Sequence, residues 1–157
     1  MEVINSDFGR HLEDFKQGSV IKHWPGKTIT ESDNNLFSLL TMNHHPVHID
    51  QHYASQQQHG KVLVVGTLVF SVVVGLTVRD ISGKAIANLN YSEIKHHSPV
   101  HIGDTLYAET EILTVRESKS KTDRGVIKVT TKAYNQKEEQ VLSFSREVLV
   151  KKRSING

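Results

Sequence analysis

The sequence predicts an α+β fold in which a long apolar helix precedes an antiparallel sheet. Residues 62–78 form the most apolar stretch of the chain, and they are too many for an ordinary strand. Beyond residue 83, apolar and polar residues alternate with a period of two, which is typical of strands with one covered face. Helices followed by strands within 157 residues favour one α+β domain. We expect its core at about residues 20–150 and a polar tail at residues 151–157.

Two short helices are predicted ahead of the apolar stretch. Thr30 begins a capping-box pattern, and the apolar residues of the helix that follows continue to Leu40. Asp50 is placed to cap a second short helix, which ends before Gly60. Residues 64–78 are rich in β-branched side chains, which favours a strand, whereas their length favours a helix buried on all sides. The periodicity of the sequence does not distinguish a strand from a helix here, and we predict a helix.

Four strands are predicted after the helix. Each is expected to turn one face to the helix and the other to solvent, because its apolar residues recur at every second position. The four alternating segments lie at about residues 86–94, 106–112, 127–133 and 142–150, with a polar loop at 119–125 and a hairpin connection at 135–139.

Composition excludes several classes of function. The chain has no cysteine, which rules out disulfides and thiolate chemistry and fits a reducing cytoplasm. Its net charge of +2 is too close to balance to indicate binding of nucleic acid. The basic residues are concentrated from residue 116 onward, where they form either a solvated surface or a positive field that attracts a polyanionic small ligand. The first residues lack the pattern of a signal peptide, and residues 62–78 are interrupted and shorter than the roughly 20 residues of a membrane span. We therefore expect a cytoplasmic protein that binds neither nucleic acid nor membrane.

The segment from residue 41 to residue 50 carries the densest set of chemically active side chains. It places Asn43, His48 and Asp50 around Pro46, immediately before the apolar stretch. Proline restricts the backbone on both sides, so these polar groups are held on a rigid turn. Imidazole titrates near neutrality and is the commonest proton-transfer group in enzymes. The segment predicts an acid–base site beside an apolar wall.

The roles of the other histidines are less specific. His44 and His45 are either solvent-facing turn residues or the mouth of a pocket. His48 and His52 are four residues apart, as metal ligands on a helix can be, but the proline and the lack of a suitable glutamate disfavour a metal. His96, His97 and His101 are expected in a loop between strands.

The segment around Pro46 resembles the hydratase motif of the MaoC-like, (R)-specific enoyl-CoA hydratases, which runs Asp-x-Asn-Pro-[Leu/Ile/Val]-His. Two further segments resemble that family in the same order along the chain. Residues 65–68, Val-Gly-Thr-Leu, are similar to its His-Gly-Met-Leu segment at the start of the central helix, and residues 98–106 are similar to its Pro-Val-x-x-Gly-Asp-x-Leu segment at the start of a strand. The resemblance covers about residues 20–150.

This resemblance implies a hot-dog fold, in which an antiparallel sheet wraps around the central helix and the sheets of two protomers join into a homodimer. It also implies that the substrate is a 2-enoyl-CoA and that the reaction is the reversible addition of water, which gives a 3-hydroxyacyl-CoA. The pantetheine arm would lie in a tunnel near the dimer interface. No metal or redox cofactor is implied, because coenzyme A is part of the substrate.

The resemblance also assigns roles to residues. His48 occupies the position of the catalytic histidine, and Gly66 that of the glycine whose N–H meets the thioester oxygen. A glycine that opens a helix suits both close approach and the positive end of the helix dipole. Substrate contacts are expected at Pro46, Asp50, Val65 and Thr67.

The chain departs from the family at two positions. Asn43 stands where the family has its catalytic aspartate, and an amide can orient water but cannot accept its proton. His48 would then transfer the proton with Asn43 as positioning group, or Asp50 would supply a carboxylate. Val74 aligns with the family's active-site serine. Asparagine at this position is also compatible with branched or dicarboxylic substrates. The alternatives to a hydratase are a hot-dog acyl-CoA thioesterase or a non-catalytic acyl-CoA-binding protein.

Overall fold

The computed structural model describes residues 1–154, and its largest element is a six-stranded antiparallel sheet. The strand order is β1-β4-β5-β6-β3, and β2 pairs with β4 beside this path. The α+β prediction is confirmed, and all four predicted strands are present. The strands are β1 (Val20–Lys22), β2 (Lys27–Thr28), β3 (Ala85–His96), β4 (Thr105–Glu117), β5 (Arg124–Tyr134) and β6 (Gln140–Lys151).

The helices precede the four long strands, as predicted, and both predicted caps are formed. The Thr30 hydroxyl accepts a hydrogen bond from the main-chain N–H of Asp33, and Asp50 Oδ1 accepts one from the N–H of Tyr53 at 2.9 Å. These bonds satisfy N–H groups that have no partner inside the helix. The helices are α1 (Glu31–Leu40), α2 (Pro46–Ile49), α3 (Gln51–Ser55) and α4 (Gly66–Thr77), with a 3₁₀ turn at Leu12–Asp14 and a π-helical turn at Val78–Ser82.

The apolar stretch forms helix α4, which begins at Gly66 and confirms the helical reading. It is not buried on all sides, however, and this part of the prediction is wrong. Thr67, Ser71 and Gly75 are exposed, and their spacing of four residues places them on one face of the helix. Of the helices in residues 1–154, none combines the length and hydrophobicity needed to cross a lipid bilayer.

Two apolar clusters form the core between the helices and the sheet. The first packs helix α4 against the sheet and contains, among others, Val65, Leu68, Val73, Leu106 and Phe144. The second contains Leu12, Phe15, Ile81, Ile112, Ile127, Val129, Val148 and Val150. Leu12 and Phe15 precede the predicted core, so the amino-terminal segment also contributes to it. The predicted tail begins with Lys151, which ends β6, and residues 155–157 of that tail lie outside the described residues.

A buried histidine adds a polar network to this core. His23 Nδ1–H donates to Asp80 Oδ2 at 2.8 Å, and His23 Nε2 accepts from the Thr110 hydroxyl at 2.7 Å. The Thr110 oxygen is in turn 2.8 Å from the hydroxyl of Thr131. Burial lowers the pKa of His23, although Asp80 acts in the opposite direction. The folded protein therefore favours the neutral imidazole.

Strand β3 is the exception to the prediction of one covered face. Its residues from Ile86 to His96 are exposed on both faces, and they include the apolar side chains of Leu89, Tyr91 and Ile94. β3 is the last strand in the sheet order, so within the described residues its outer edge has no strand partner. Unpaired N–H and C=O groups next to exposed apolar side chains are typical of a sheet edge that binds another strand.

Candidate active site

His48 is held in one orientation by a main-chain carbonyl. It lies in α2, whose first residue is Pro46, and its Nδ1 is 2.6 Å from the carbonyl oxygen of Leu63. Because a carbonyl oxygen only accepts hydrogen bonds, Nδ1 must carry the proton and donate it. The neutral ring then presents Nε2 as an unprotonated nitrogen. This half-buried imidazole is arranged to accept a proton at Nε2.

Gly66 is the first residue of α4, and its N–H has no acceptor inside the helix. The first N–H groups bonded there belong to Leu68 and Val69, which both donate to the carbonyl oxygen of Val65. Val65, the residue that precedes the helix, has an apolar side chain and caps none of these N–H groups. The ring of His96 lies over Gly66, since a Cβ placed on this glycine would be 3.2 Å from His96 Cε1. The structure thus leaves a helix amino terminus with partial positive charge next to an imidazole.

The roles expected of His48 and Gly66 require both residues to reach one thioester. In the structure, the two residues line different cavities. A cavity of about 260 Å³ is lined by His48, Lys61, Val62 and other residues. A second cavity, of about 300 Å³, is lined by Gly66, Leu63 and others. The segment at residues 61–64 separates them, because its first two residues line one cavity and its last two the other. His48 and Gly66 are therefore neighbours across this segment in the single chain.

The other predicted site residues have mainly backbone roles. Asn43 Oδ1 accepts a long bond of 3.4 Å from the N–H of His45, and in the described part of the chain Asn43 lines neither cavity. Asp50 is engaged in capping α3, and Pro46 starts α2. Each of these residues shapes the turn that carries His48, so none of them is placed as a second acid or base.

The two residues of the helix-start segment that are predicted to contact substrate differ in their exposure. Val65 is only 2% exposed and belongs to the first cluster, and its contact with substrate stays a prediction. Thr67 is exposed on the open face of α4, where a ligand can reach it. Val74, at the family's serine position, is half-buried and packs against the first cluster. An alcohol donor is therefore missing from that position.

Sequence reasoning missed three residues that shape the site. Leu63 supplies the carbonyl for His48, and Asn34 of α1 is fully buried between two segments of the site. His96 ends strand β3 instead of lying in a loop, and it contacts Gly66. A main-chain carbonyl leaves no trace in sequence, and a buried asparagine in an amphipathic helix has the same appearance as an exposed one. In residues 1–154, no three His, Cys, Asp or Glu side chains are grouped closely enough to hold a metal ion.

Comparison with known proteins identifies the family. A sequence model described as "MaoC like domain" matches residues 14–135, so this chain belongs to the MaoC-like family. It is 35% identical over 150 residues to a mesaconyl-CoA hydratase of Cereibacter sphaeroides, covering 96% of this chain and 43% of that protein. It is 36% identical over 150 residues to a β-methylmalyl-CoA dehydratase of Chloroflexus aurantiacus, covering 95% of this chain and 42% of that protein. The chain thus spans less than half the length of these relatives.

A solved structure confirms the predicted hot-dog fold. A protein of Mycobacterium tuberculosis, described as having a double hot-dog fold, superposes with a TM-score of 0.85 at 20% identity. The superposition covers 94% of this chain and 46% of that protein. At this identity the likeness concerns the fold, and it agrees with the sheet that packs on helix α4 in the present structure.

Proposed function

We propose that this chain carries a site for the reversible hydration of a 2-enoyl-CoA thioester to a 3-hydroxyacyl-CoA. The observation that carries the proposal is the fixed tautomer of His48, whose Nδ1–H is bonded to Leu63 and whose Nε2 is left to accept a proton. The half-buried amino terminus of α4 at Gly66 supports it, and the proposal requires that one thioester reach both groups across residues 61–64. The names of the two relatives, a hydratase and a dehydratase, describe the two directions of such a reaction.

In the proposed reaction, His48 Nε2 takes a proton from water as the water oxygen bonds to C3 of the substrate. The electron pair of the C2–C3 double bond moves toward the thioester, and negative charge develops on its oxygen. The Gly66 N–H stabilises this charge, and the imidazolium then returns its proton to C2. General base catalysis of this kind contributes about 10²–10⁴-fold in rate. One well-placed N–H donor contributes about 10²–10³-fold.

The substrate we propose is branched and dicarboxylic, because among the described residues the cavity at Gly66 has no acidic lining residue, whereas Glu31 lines the cavity at His48. None of the described residues that line the cavity at Gly66 is acidic, and three of them are histidines: His59, His96 and His97. Asn43 replaces the aspartate of the family motif, which removes a charge that would repel a second carboxylate. The acyl group named for the first relative, mesaconyl, is a methyl-branched unsaturated diacid.

The expected homodimer is proposed to form through strand β3. Its free edge and exposed apolar residues suit an antiparallel pairing with the β3 strand of a second copy. Such a pairing would extend the sheet and satisfy the main-chain N–H and C=O groups of the free edge. We keep a cytoplasmic location and the absence of a cofactor as proposals. Adding water to a double bond involves no net oxidation, so the proposed reaction needs no redox cofactor.

The proposal is tested by following the ultraviolet absorbance of the conjugated enoyl thioester with purified protein. We expect loss of absorbance on hydration, fastest with a branched dicarboxylic enoyl-CoA in a panel that also contains straight-chain and branched monocarboxylic substrates. His48→Gln should lower kcat by about 10²–10⁴-fold, whereas His52→Gln, at an exposed position in α3, should leave it unchanged. Prior treatment with a chelator should have no effect.

Two outcomes would reject the proposal. Release of free thiol from saturated acyl-CoA without hydration would indicate a thioesterase, and binding of acyl-CoA without any turnover would indicate a binding protein. A third measurement tests the role of position 43 alone. Asn43→Asp is expected to reduce kcat/KM for the dicarboxylic substrate relative to the straight-chain one by at least about 10-fold, by charge repulsion. An unchanged ratio would mean that position 43 does not face the carboxylate.

A further inference from the structure

We infer that Asn34 is the positioning residue that fixes the proton-transferring imidazole and the helix amino terminus relative to each other. The inference rests on the function proposed above. Asn34 Nδ2–H donates to the main-chain oxygen of His48 at 3.0 Å, and Asn34 Oδ1 accepts from the main-chain N–H of Val65 at 3.0 Å. One side chain thus bonds the residue that carries the base and the residue immediately before Gly66.

The two bonds define a single orientation of the amide. Turning the Asn34 amide over would place its NH₂ group against the N–H of Val65 and its oxygen against the carbonyl of His48, and both contacts would become repulsive. Asn34 is 0% exposed although it lines the cavity at His48, so both partners of its amide are main-chain groups and not bulk water. A buried donor or acceptor left without a partner costs about 1–3 kcal/mol. The sequence of α1 therefore determines this geometry through one residue.

The backbone that carries Asn34 is itself fixed. Its main-chain N–H donates to the carbonyl oxygen of Thr30, the residue that caps α1. Opposite it, His48 is held through its ring by Leu63 and through its main-chain oxygen by Asn34. The amide thus adds a direct connection between α2 and the start of α4 to the one that Leu63 makes with the ring of His48. Since a displacement of 1 Å can lower an enzymatic rate by about 10²-fold, this connection matters for catalysis.

The first test uses Asn34→Leu, which keeps the number and branching of the side-chain heavy atoms and removes both hydrogen bonds. We expect kcat to fall by about 10²-fold, with a much smaller change in KM, because the substrate groups are misplaced and not lost. Val129→Ala is the matched control, since it removes buried volume in the second cluster without touching the site. At a temperature where both variants are folded, the control should retain the kcat of the wild type.

The second test uses Asn34→Asp, in which protonation restores the missing donor. The neutral carboxylic acid can donate to the His48 oxygen and accept from the Val65 N–H, whereas the carboxylate repels the His48 carbonyl. The ratio of the variant's kcat to that of the wild type should therefore rise as the pH falls. A residue with only a structural role would give a ratio independent of pH as long as the protein is folded.

NMR provides a readout that does not require turnover. In the wild type, the Val65 N–H should be protected from hydrogen exchange and the His48 ring should show one tautomer; in Asn34→Leu, the protection should be lost and the ring signals should shift. Unchanged signals, or an unchanged kcat in Asn34→Leu, would overturn the inference. If the wild type shows no hydration at all, the proposed function fails, and these NMR signals still decide whether Asn34 fixes the two segments.

Discussion

Replacing Gly66 by alanine is expected to raise stability and lower activity in the same variant. The backbone of Gly66 has no positive φ, so alanine fits its conformation. Glycine costs about 0.5–1 kcal/mol relative to alanine within a helix. The new Cβ would lie 3.2 Å from His96 Cε1, a tight contact with a ring at the exposed end of β3. Because this ring can shift by a few tenths of an ångström, we expect a net stabilisation of up to about 1 kcal/mol.

Activity should change in the opposite direction by a larger amount. The methyl group would stand at the amino terminus of α4, on the side where the thioester oxygen must approach the Gly66 N–H. Loss of one such donor lowers kcat by about 10²–10³-fold, or about 2.7–4 kcal/mol. Thermal unfolding would measure the first effect, since 1 kcal/mol shifts the Tm of a domain of this size by about 2–4 °C. Initial rates of enoyl-CoA hydration would measure the second.

Gly75→Ala is the matched control on the same helix. No described atom lies within 4 Å of the Cβ that it would add, and the position is exposed. It should raise the Tm by a similar amount and leave the rate unchanged. Full activity of Gly66→Ala would refute the role of the Gly66 N–H. A loss of activity in Gly66→Ala that is reversed by adding His96→Ala would trace the effect to the displaced ring and not to the blocked donor.

Four further outcomes are expected from the structure. Lys27 and the Thr30 N–H lower the pKa of Asp33 to about 2, so Asp33→Asn should cost stability at neutral pH, and this difference should disappear as the pH falls from about 4 toward 2. Burial lowers the pKa of His23, so the wild type should lose stability as the pH falls through about 6.5, measured by denaturant unfolding. Gly125→Ala should lower stability by about 1–3 kcal/mol, because its Cβ would meet a main-chain oxygen at 2.4 Å. Leu89→Lys, on β3, should convert the proposed dimer into a monomer in light scattering.

Each of these outcomes has a result that would contradict it. For Asp33→Asn, a stability difference that persists at pH 2 would mean that the carboxylate is not the stabilising form. Replacing His23 by asparagine should make the free energy of unfolding less dependent on pH. An equally steep dependence in this variant would mean that other groups cause it. An unaltered Tm in Gly125→Ala would mean that β5 can move away from its neighbour. A Leu89→Lys variant with the mass of the wild type would place the dimer contact elsewhere.

Most of the architecture followed from local chemistry that is visible in sequence. The caps at Thr30 and Asp50 were predictable, because a hydroxyl or carboxylate before an apolar helix has few other uses. The long strands were predictable from their period of two. The one-sided burial of α4 was harder to predict, since Thr67, Ser71 and Gly75 read as interruptions until their spacing is placed on a helix.

The candidate site was predictable in its residue types and not in its geometry. His48 and Gly66 stand out in sequence, but the segment that separates their cavities is formed by residues 61–64, which show only a run of apolar side chains after a lysine. The role of Asn34 depends on two main-chain groups that are 14 and 31 residues away. Such contacts are set by tertiary structure, and no periodicity or motif encodes them.

The hydrogen bond to the Leu63 oxygen also determines how the imidazole tolerates mutation. Many enzymes orient a histidine with an aspartate, which a single base change can remove and whose charge makes the ring more basic. Here the acceptor belongs to the peptide backbone, so every amino acid at position 63 supplies it. Substitutions there can reshape the neighbouring cavity while the proton stays on the same ring nitrogen. This arrangement lets the side chain at position 63 change without loss of the bond that orients the imidazole.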